Sequence, residues 1–211
     1  MRIETTETSI KLVERRESDG YWAVRWDFKP KLDSEGNATG IYWYEEEAYN
    51  FIPTIEDIQR TIVEWFNKQT DGMIQHGFEW KGINVLLNEE NKFNYKAITD
   101  EVAKRETAIA IWDKDNPTIA GINYTVSYNV DEEGNSVEIY IPTGRPQSLL
   151  PITLKLGENN LPENFYTFTT HAEIQEFFSA GVDHLLDAYA SGWTKIATFD
   201  WSVYVKALEE L

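Results

Sequence analysis

Residues 21–28 read Tyr-Trp-Ala-Val-Arg-Trp-Asp-Phe, an eight-residue alternation that no helix could use. It puts Trp22, Val24, Trp26 and Phe28 on one face of a strand, and Tyr21, Ala23, Arg25 and Asp27 on the other. Pro30 is expected to end this strand. Asp33-Ser34-Glu35-Gly36-Asn37 supplies a turn in which Gly36 takes positive φ, and Ile41–Tyr44 returns. The same chemistry recurs at Asp131-Glu132-Glu133-Gly134-Asn135, between a β-branched and aromatic run over 118–130 and Val137–Ile141. The flanking strands do not match residue by residue, so the repeat is read as convergent turn chemistry. Short turns of this kind join antiparallel strands only. The fold class is therefore α+β, with antiparallel β-hairpins and three to four amphipathic helices packed on one face, and a predominantly parallel sheet is excluded.

The helices carry their own punctuation. Thr54, with Asp57 three residues on, opens a helix over 54–68 whose buried stripe is Ile55, Ile58, Ile62, Trp65 and Phe66. Asn88 caps a second over 88–104, with Phe93, Ala97, Ile98 and Val102 as its buried face, while 107–113 stays open between helix end and strand. Thr170 and Glu173 form a capping box for a third over 170–191, with Gly192 as its C′ residue. Asp200 caps a last helix bearing Tyr204 and Leu208. Between them lie the hairpin of Gly77–Trp80 and Ile83–Leu87 around Lys81-Gly82, and the strand pair Ile152–Leu156 with Phe165–Phe168. This divides the chain into an N-terminal β region, 1–52, and an α+β domain, 53–211, with an inserted hairpin at about 107–149. Residues 142–151 are the linker-like stretch. The hairpin, 118–141, is expected to project from the body.

Chemistry is sparse by comparison. Cysteine is absent, so no disulfide or thiolate nucleophile exists. His76, His171 and His184 lie outside helical reach of one another, with His171 and His184 read as exposed. No Gly-x-Ser-x-Gly elbow, phosphate loop or dinucleotide fingerprint occurs. Glu45-Glu46-Glu47 reads as a solvated strand end, and Asp131–Asn135 lacks the downstream Glu of a calcium loop. The expectation is a protein that is not an enzyme and takes no cofactor or metal. The 36 Asp+Glu against 19 Lys+Arg leave a net charge of −17, which repels phosphate backbones and anionic lipid. Neither nucleic acid nor a membrane is expected as a partner. The first residues, Met1–Glu7, are polar, so a secretion signal is not expected there.

Aromatic residues are the surplus: 8 Trp, 11 Tyr and 10 Phe. A domain of this size is not expected to bury them all, and Tyr and Trp are favoured at interface cores. Trp22 and Trp26 oppose Tyr21, and Tyr42 and Tyr44 oppose Trp43, so one face of these strands meets the core and the other is free. Tyr21, Trp22, Trp26, Tyr42, Trp43 and Tyr44 are therefore the candidate partner-binding residues. The competing reading packs residues 1–50 on the inserted hairpin and leaves no patch.

From Gly77 onward the order of features resembles a known family. The residues that carry it are Gly77-Phe78-Glu79-Trp80-x-Gly82, Val85-Leu86-Leu87-Asn88 running on to Ala97, Leu150–Gly157, Tyr166–Thr169, Gly192-Trp193 and Asp200-Trp201-Ser202-x-Tyr204. They look like a domain of unknown function found in tailed-phage and prophage proteins of Bacteroides-type hosts, often neighbours of tail-fibre genes and sometimes labelled tail-fibre assembly proteins. The resemblance spans roughly 50–211; here 107–149 is longer than the family's connection. It implies a virion-associated structural or adaptor protein that contacts phage tail or fibre proteins, found in the virion or in host cytoplasm during assembly. An assembly factor absent from the mature virion and a glycan-binding accessory are the alternatives. Self-association as a homo-oligomer is left open.

Overall fold

The computed structural model describes residues 1–211, and the fold is α+β: ten strands and four α-helices, every strand pair antiparallel. The chain forms two compact units, Met1–Gly72 with Ala188–Leu211, and Met73–Asp187. The first unit takes in residues on both sides of 52/53. The N-terminal strands share a core with helices from both ends of the sequence.

The first unit holds β1 (Arg2–Thr5), β2 (Val13–Arg15), β3 (Trp22–Leu32) and β4 (Ala38–Tyr49) in the order β1-β4-β3-β2. Trp22, Val24 and Trp26 share one face with Val13, and that face packs on Ile58, Ile62 and Phe66 of α1 (Ile55–His76) and Tyr204 of α4 (Ser202–Glu209). Tyr204 donates from its hydroxyl to the Arg25 carbonyl at 2.7 Å, so its burial leaves no polar atom unpaired.

Two expectations for β3 fail for one reason. Asp27 takes a φ of 56°, and the β3–β4 register shifts between Trp26 and Lys29. The bulge turns Phe28 off the Trp22 face, and it stacks on Tyr42 at 5.0 Å instead. Pro30 does not end the strand but pairs with Tyr42. Beyond Trp22–Val24, where β2 pairs, the other edge of β3 is open, so a residue without an N–H is tolerated.

Thr54 and Asp57 form the expected capping box: Asp57 N–H donates to Thr54 Oγ1 at 3.2 Å, and Thr54 N–H to Asp57 Oδ2 at 3.1 Å. α1 runs past Lys68 because Thr70 and Ile74 continue its buried stripe. Gly77, at φ 79°, follows its end; a Cβ there would lie 1.6 Å from the Val85 carbonyl oxygen.

The second unit holds β5 (Phe78–Trp80), β6 (Ile83–Val85), α2 (Glu89–Asp115), β7 (Tyr124–Val130), β8 (Ser136–Pro142), β9 (Ile152–Lys155), β10 (Phe165–Phe168) and most of α3 (His171–Ala197). The strands form separate two-stranded sheets, not one sheet covered on one face. Lys81 and Gly82 both take positive φ, 46° and 84°, as a two-residue hairpin turn requires. Asn88 caps α2 through Asn91 N–H at 2.8 Å, and residues 107–113 are helical.

The buried face of α2 is Tyr95, Thr99, Val102 and Ile109, whereas Phe93 is 73% exposed and Ala97 is exposed. Asn91 Nδ2 on the Leu86 carbonyl and the Tyr95 hydroxyl on the Lys155 carbonyl fix that rotation. Gly192 is not a C′ residue: α3 continues to Ala197, and a Cβ on Gly192 would meet Thr70 Oγ1 at 2.2 Å, so it is the point where α3 touches α1. His171 and His184 are half-buried, not exposed; His184 Nε2 lies 3.2 Å from the Met73 carbonyl.

Candidate functional site

The feature left unabsorbed by either core is the β7–β8 hairpin. Its strands pair only with each other, without a bulge, from Tyr124↔Pro142 to Val130↔Ser136. At the tip Asp131 repeats the Asp33 turn bond for bond: Oδ1 accepts from Asn135 N–H at 2.8 Å and Glu133 N–H at 3.0 Å, as Asp33 Oδ1 does from Asn37 and Glu35. These donors hold both carboxyls below the usual Asp range. At the base, the Trp112 ring of α2 meets Tyr124 edge-on at 5.7 Å, and Arg145 grips Asp113 with two bonds of 2.7 Å.

Between base and tip the hairpin is bare. The register puts Tyr124, Val126, Tyr128, Val130 and Tyr140 on one face and Val137, Ile139 and Ile141 on the other. Tyr128 is 66% exposed and Ile141 51%, and every residue of β8 is exposed. The fourteen strand positions carry one charge, Glu138, in a chain whose residues are 26% charged. Two apolar faces on one unpartnered hairpin exceed what a scattered surface hydrophobe explains.

The six residues singled out from sequence fare differently. Trp22 and Trp26 are core, and Tyr44 is buried under the Arg25 guanidinium, 5.4 Å from its ring centroid. These three offer no docking surface. Trp43 is half-buried beneath Arg2 at 4.3 Å and Lys29 at 5.5 Å, and Tyr42 is half-buried against Phe28. Only Tyr21 is exposed, at 43%. What closes the second face is topology. β1 and β2 lie on opposite edges, so residues 6–12 must cross the sheet, and Arg25 Nη1 donates to the Lys11 carbonyl at 3.2 Å.

Under that strap sits a charge cluster the sequence reading assigned to solvent. Glu46, 4% exposed, accepts from Arg25 Nε at 2.7 Å and Arg16 Nη1 at 2.8 Å, and Arg25 Nη1 donates to Glu14 at 2.6 Å. In the second unit Glu173 accepts from Lys81 at 2.6 Å and from the Tyr166 hydroxyl; these donors pull its carboxyl down to about 2, and Glu173, with the Tyr166 oxygen, in turn raises the Lys81 ammonium. Both clusters pair every charge internally and act as fasteners between elements.

A smaller feature lies in the first unit. On either side of the Gly192–Thr70 contact, Tyr189 and Trp193 stack at 5.7 Å and line a cleft of about 280 Å³ with Asn67 and Asp71. Trp193 is 66% exposed. No helix is long and apolar enough to cross a membrane. No family model, no curated protein and no solved structure matches this chain.

Proposed function

We propose that the chain is a virion-associated structural or adaptor protein of a phage tail or fibre region, working by protein–protein contact and not by catalysis. The β7–β8 hairpin carries the contact half of this reading: an isolated two-stranded ribbon is marginal in water, and this one exposes apolar side chains on both faces. The residues from Gly77 to Ala97 and around Leu150–Gly157, which resemble the phage family, supply the other half.

The test is mass spectrometry of purified virions from a phage encoding the chain, wild type or lacking 118–141. The wild-type protein is expected at stoichiometric level. The deleted form is expected to stay folded but to be missing from particles, because the excised strands pair only with each other. Retention of the deleted form would remove the hairpin from any contact role. Absence of the wild-type protein from particles would favour an assembly factor that leaves.

The Tyr189–Trp193 stack favours a second reading, a glycan-binding accessory. An exposed indole face beside an amide and a carboxylate matches a sugar's C–H face and hydroxyl edge. A glycan array with wild type and Trp193→Ala checks it: this reading expects a hit that the variant loses, and an unchanged hit would place binding elsewhere.

A further inference from the structure

The outer edge of β8 is built to accept a strand, and we infer that the strand is β8 of a second copy, paired antiparallel about a two-fold axis at Ile139. This names a partner for the hairpin and so rests on the contact reading above.

Backbone direction comes first. Asp131 N–H donates to the Asn135 carbonyl and Thr143 N–H to the Asn123 carbonyl, which makes 131↔135 and 123↔143 hydrogen-bonded pairs. Alternation then turns the N–H and C=O of Val137, Ile139 and Ile141 toward β7, and those of Ser136, Glu138 and Tyr140 outward. Nothing in the chain meets these outward groups, since β8 has β7 as its one neighbour. Natural edges are blunted by lysine, inward charge, bulges or proline; β8 has none of these before Pro142 at its base.

Registry then selects the partner. With Ile139 on the axis, outward residues meet outward residues, as the ladder requires: Glu138 hydrogen-bonds across to the other copy's Tyr140, and Tyr140 to its Glu138. Inward residues meet as Val137 opposite Ile141 and Ile139 opposite itself. Every cross-strand pair on that face is β-branched. The single charge of the ribbon meets a hydroxyl and not its own copy. Tyr140 already donates to Glu138 of its own strand at 2.9 Å, so the phenol–carboxylate bond is within its reach. A slip that centres Glu138 would oppose two carboxylates and is disfavoured.

The register also fixes where the charged tip lies. The same register carries the acidic tip, Asp131-Glu132-Glu133, toward the base of the other hairpin, where Arg145 is held on Asp113. The two tips end about 40 Å apart at roughly 3.4 Å per residue, several Debye lengths, so the two acidic tips do not repel one another. An isologous contact of this kind closes on itself.

The absence of native cysteine makes the test clean. At the axis Ile139 forms a non-hydrogen-bonded pair with Cα atoms about 4.5 Å apart, inside the range a disulfide spans. Ile139→Cys is expected to form a covalent dimer under mild oxidation. Ser127→Cys, on β7 across from Ile139 and one strand away from the axis, is not. Sedimentation over a concentration series should show a wild-type dimer, weakened by about tenfold or more in Ile139→Lys, which sets two ammoniums side by side. Ile139 is exposed in the monomer, so at dilutions where both proteins are monomeric the Lys variant should keep the wild-type melting temperature. A wild-type chain that stays monomeric, or equal crosslinking by the two cysteine variants, overturns the inference. If that monomer still enters virions through its hairpin, the contact reading survives and the occupant is a different chain.

Discussion

Glu46→Ala is expected to destabilise the first unit by about 3 kcal/mol, the lower end for breaking a buried ion pair. The carboxylate holds two guanidinium groups at once, and its side chain is only 3% exposed. Its removal leaves Arg25 desolvated with Glu14 as its one carboxylate partner, while Arg16 keeps Asp19 and can turn to water. Those surviving pairs are why the loss should not reach the upper end near 5 kcal/mol. For a unit of this size the melting temperature should fall by at least about 12 °C, at roughly 4–8 °C per kcal/mol.

The control is a double replacement, Arg25→Met with Glu46→Leu. It removes both charges and keeps most of the volume, so it should recover the greater part of the loss. A Glu46→Ala cost below about 1 kcal/mol would mean the cluster behaves as an exposed pair, worth that little. Failure of the double variant to recover would mean that the cluster's hydrogen bonds, not its charge balance, hold the strap.

This cluster also marks where sequence reading stops. Alternation over 21–28 located β3, and the Asp-x-Glu-Gly-Asn turn located its return, because both signals are local. The burial of Glu46 is not local: its partners lie 21 and 30 residues away, and only the order β1-β4-β3-β2 sends a strap over that face. The Asp27 bulge is equally invisible, since a strand pattern assumes that register continues. The caps at Thr54 and Asn88 were readable, whereas the helix ends were not. α1, α2 and α3 each outlast their apolar stripe as judged from sequence, and at Gly192 a residue that elsewhere stops a helix instead allows Thr70 to approach.

The partner surface follows the same division. Tyr128 and its neighbours were legible as a hairpin in need of packing. Tyr21, Trp22, Trp26, Tyr42, Trp43 and Tyr44 would form a docking surface only if one face of the first sheet were free, whereas residues 6–12 cross that face and Tyr21 alone of the six is exposed. Val137, Ile139 and Ile141 had a signal of their own that went unused: a ribbon with one charge in an acidic chain.

Phe177→Ala should have the largest effect in the second unit, about 3–5 kcal/mol. Phe177 is 2% exposed, and its ring meets Phe78, Trp80, Tyr95 and Phe168 with centroids at 5.8, 5.5, 5.2 and 5.2 Å. These partners come from β5, α2 and β10, so one α3 side chain joins the small hairpin, the long helix and the second strand pair. Edge-on ring pairs add about 0.5–1.5 kcal/mol each beyond area burial, and the substitution removes two, with Trp80 and Tyr95, besides the two tilted contacts. The neighbourhood cannot readily collapse. A solvent-open apolar pocket of about 190 Å³ already lies beside the ring, lined by Phe78, Leu87, Tyr95, Gly181, Val182 and Leu185, and truncation would enlarge it.

Near-ultraviolet circular dichroism should lose the signal of the packed rings, and the denaturation midpoint should fall. Phe177→Leu, which keeps most of the volume, should cost about half as much or less. A Phe177→Ala loss below about 1.5 kcal/mol would show that hairpin, helix and strand pair are held together by the Lys81–Tyr166–Glu173 fastener instead of by the aromatic cluster. Lys81→Met would then become the more damaging change, and the ranking of the two variants decides which contact the unit depends on.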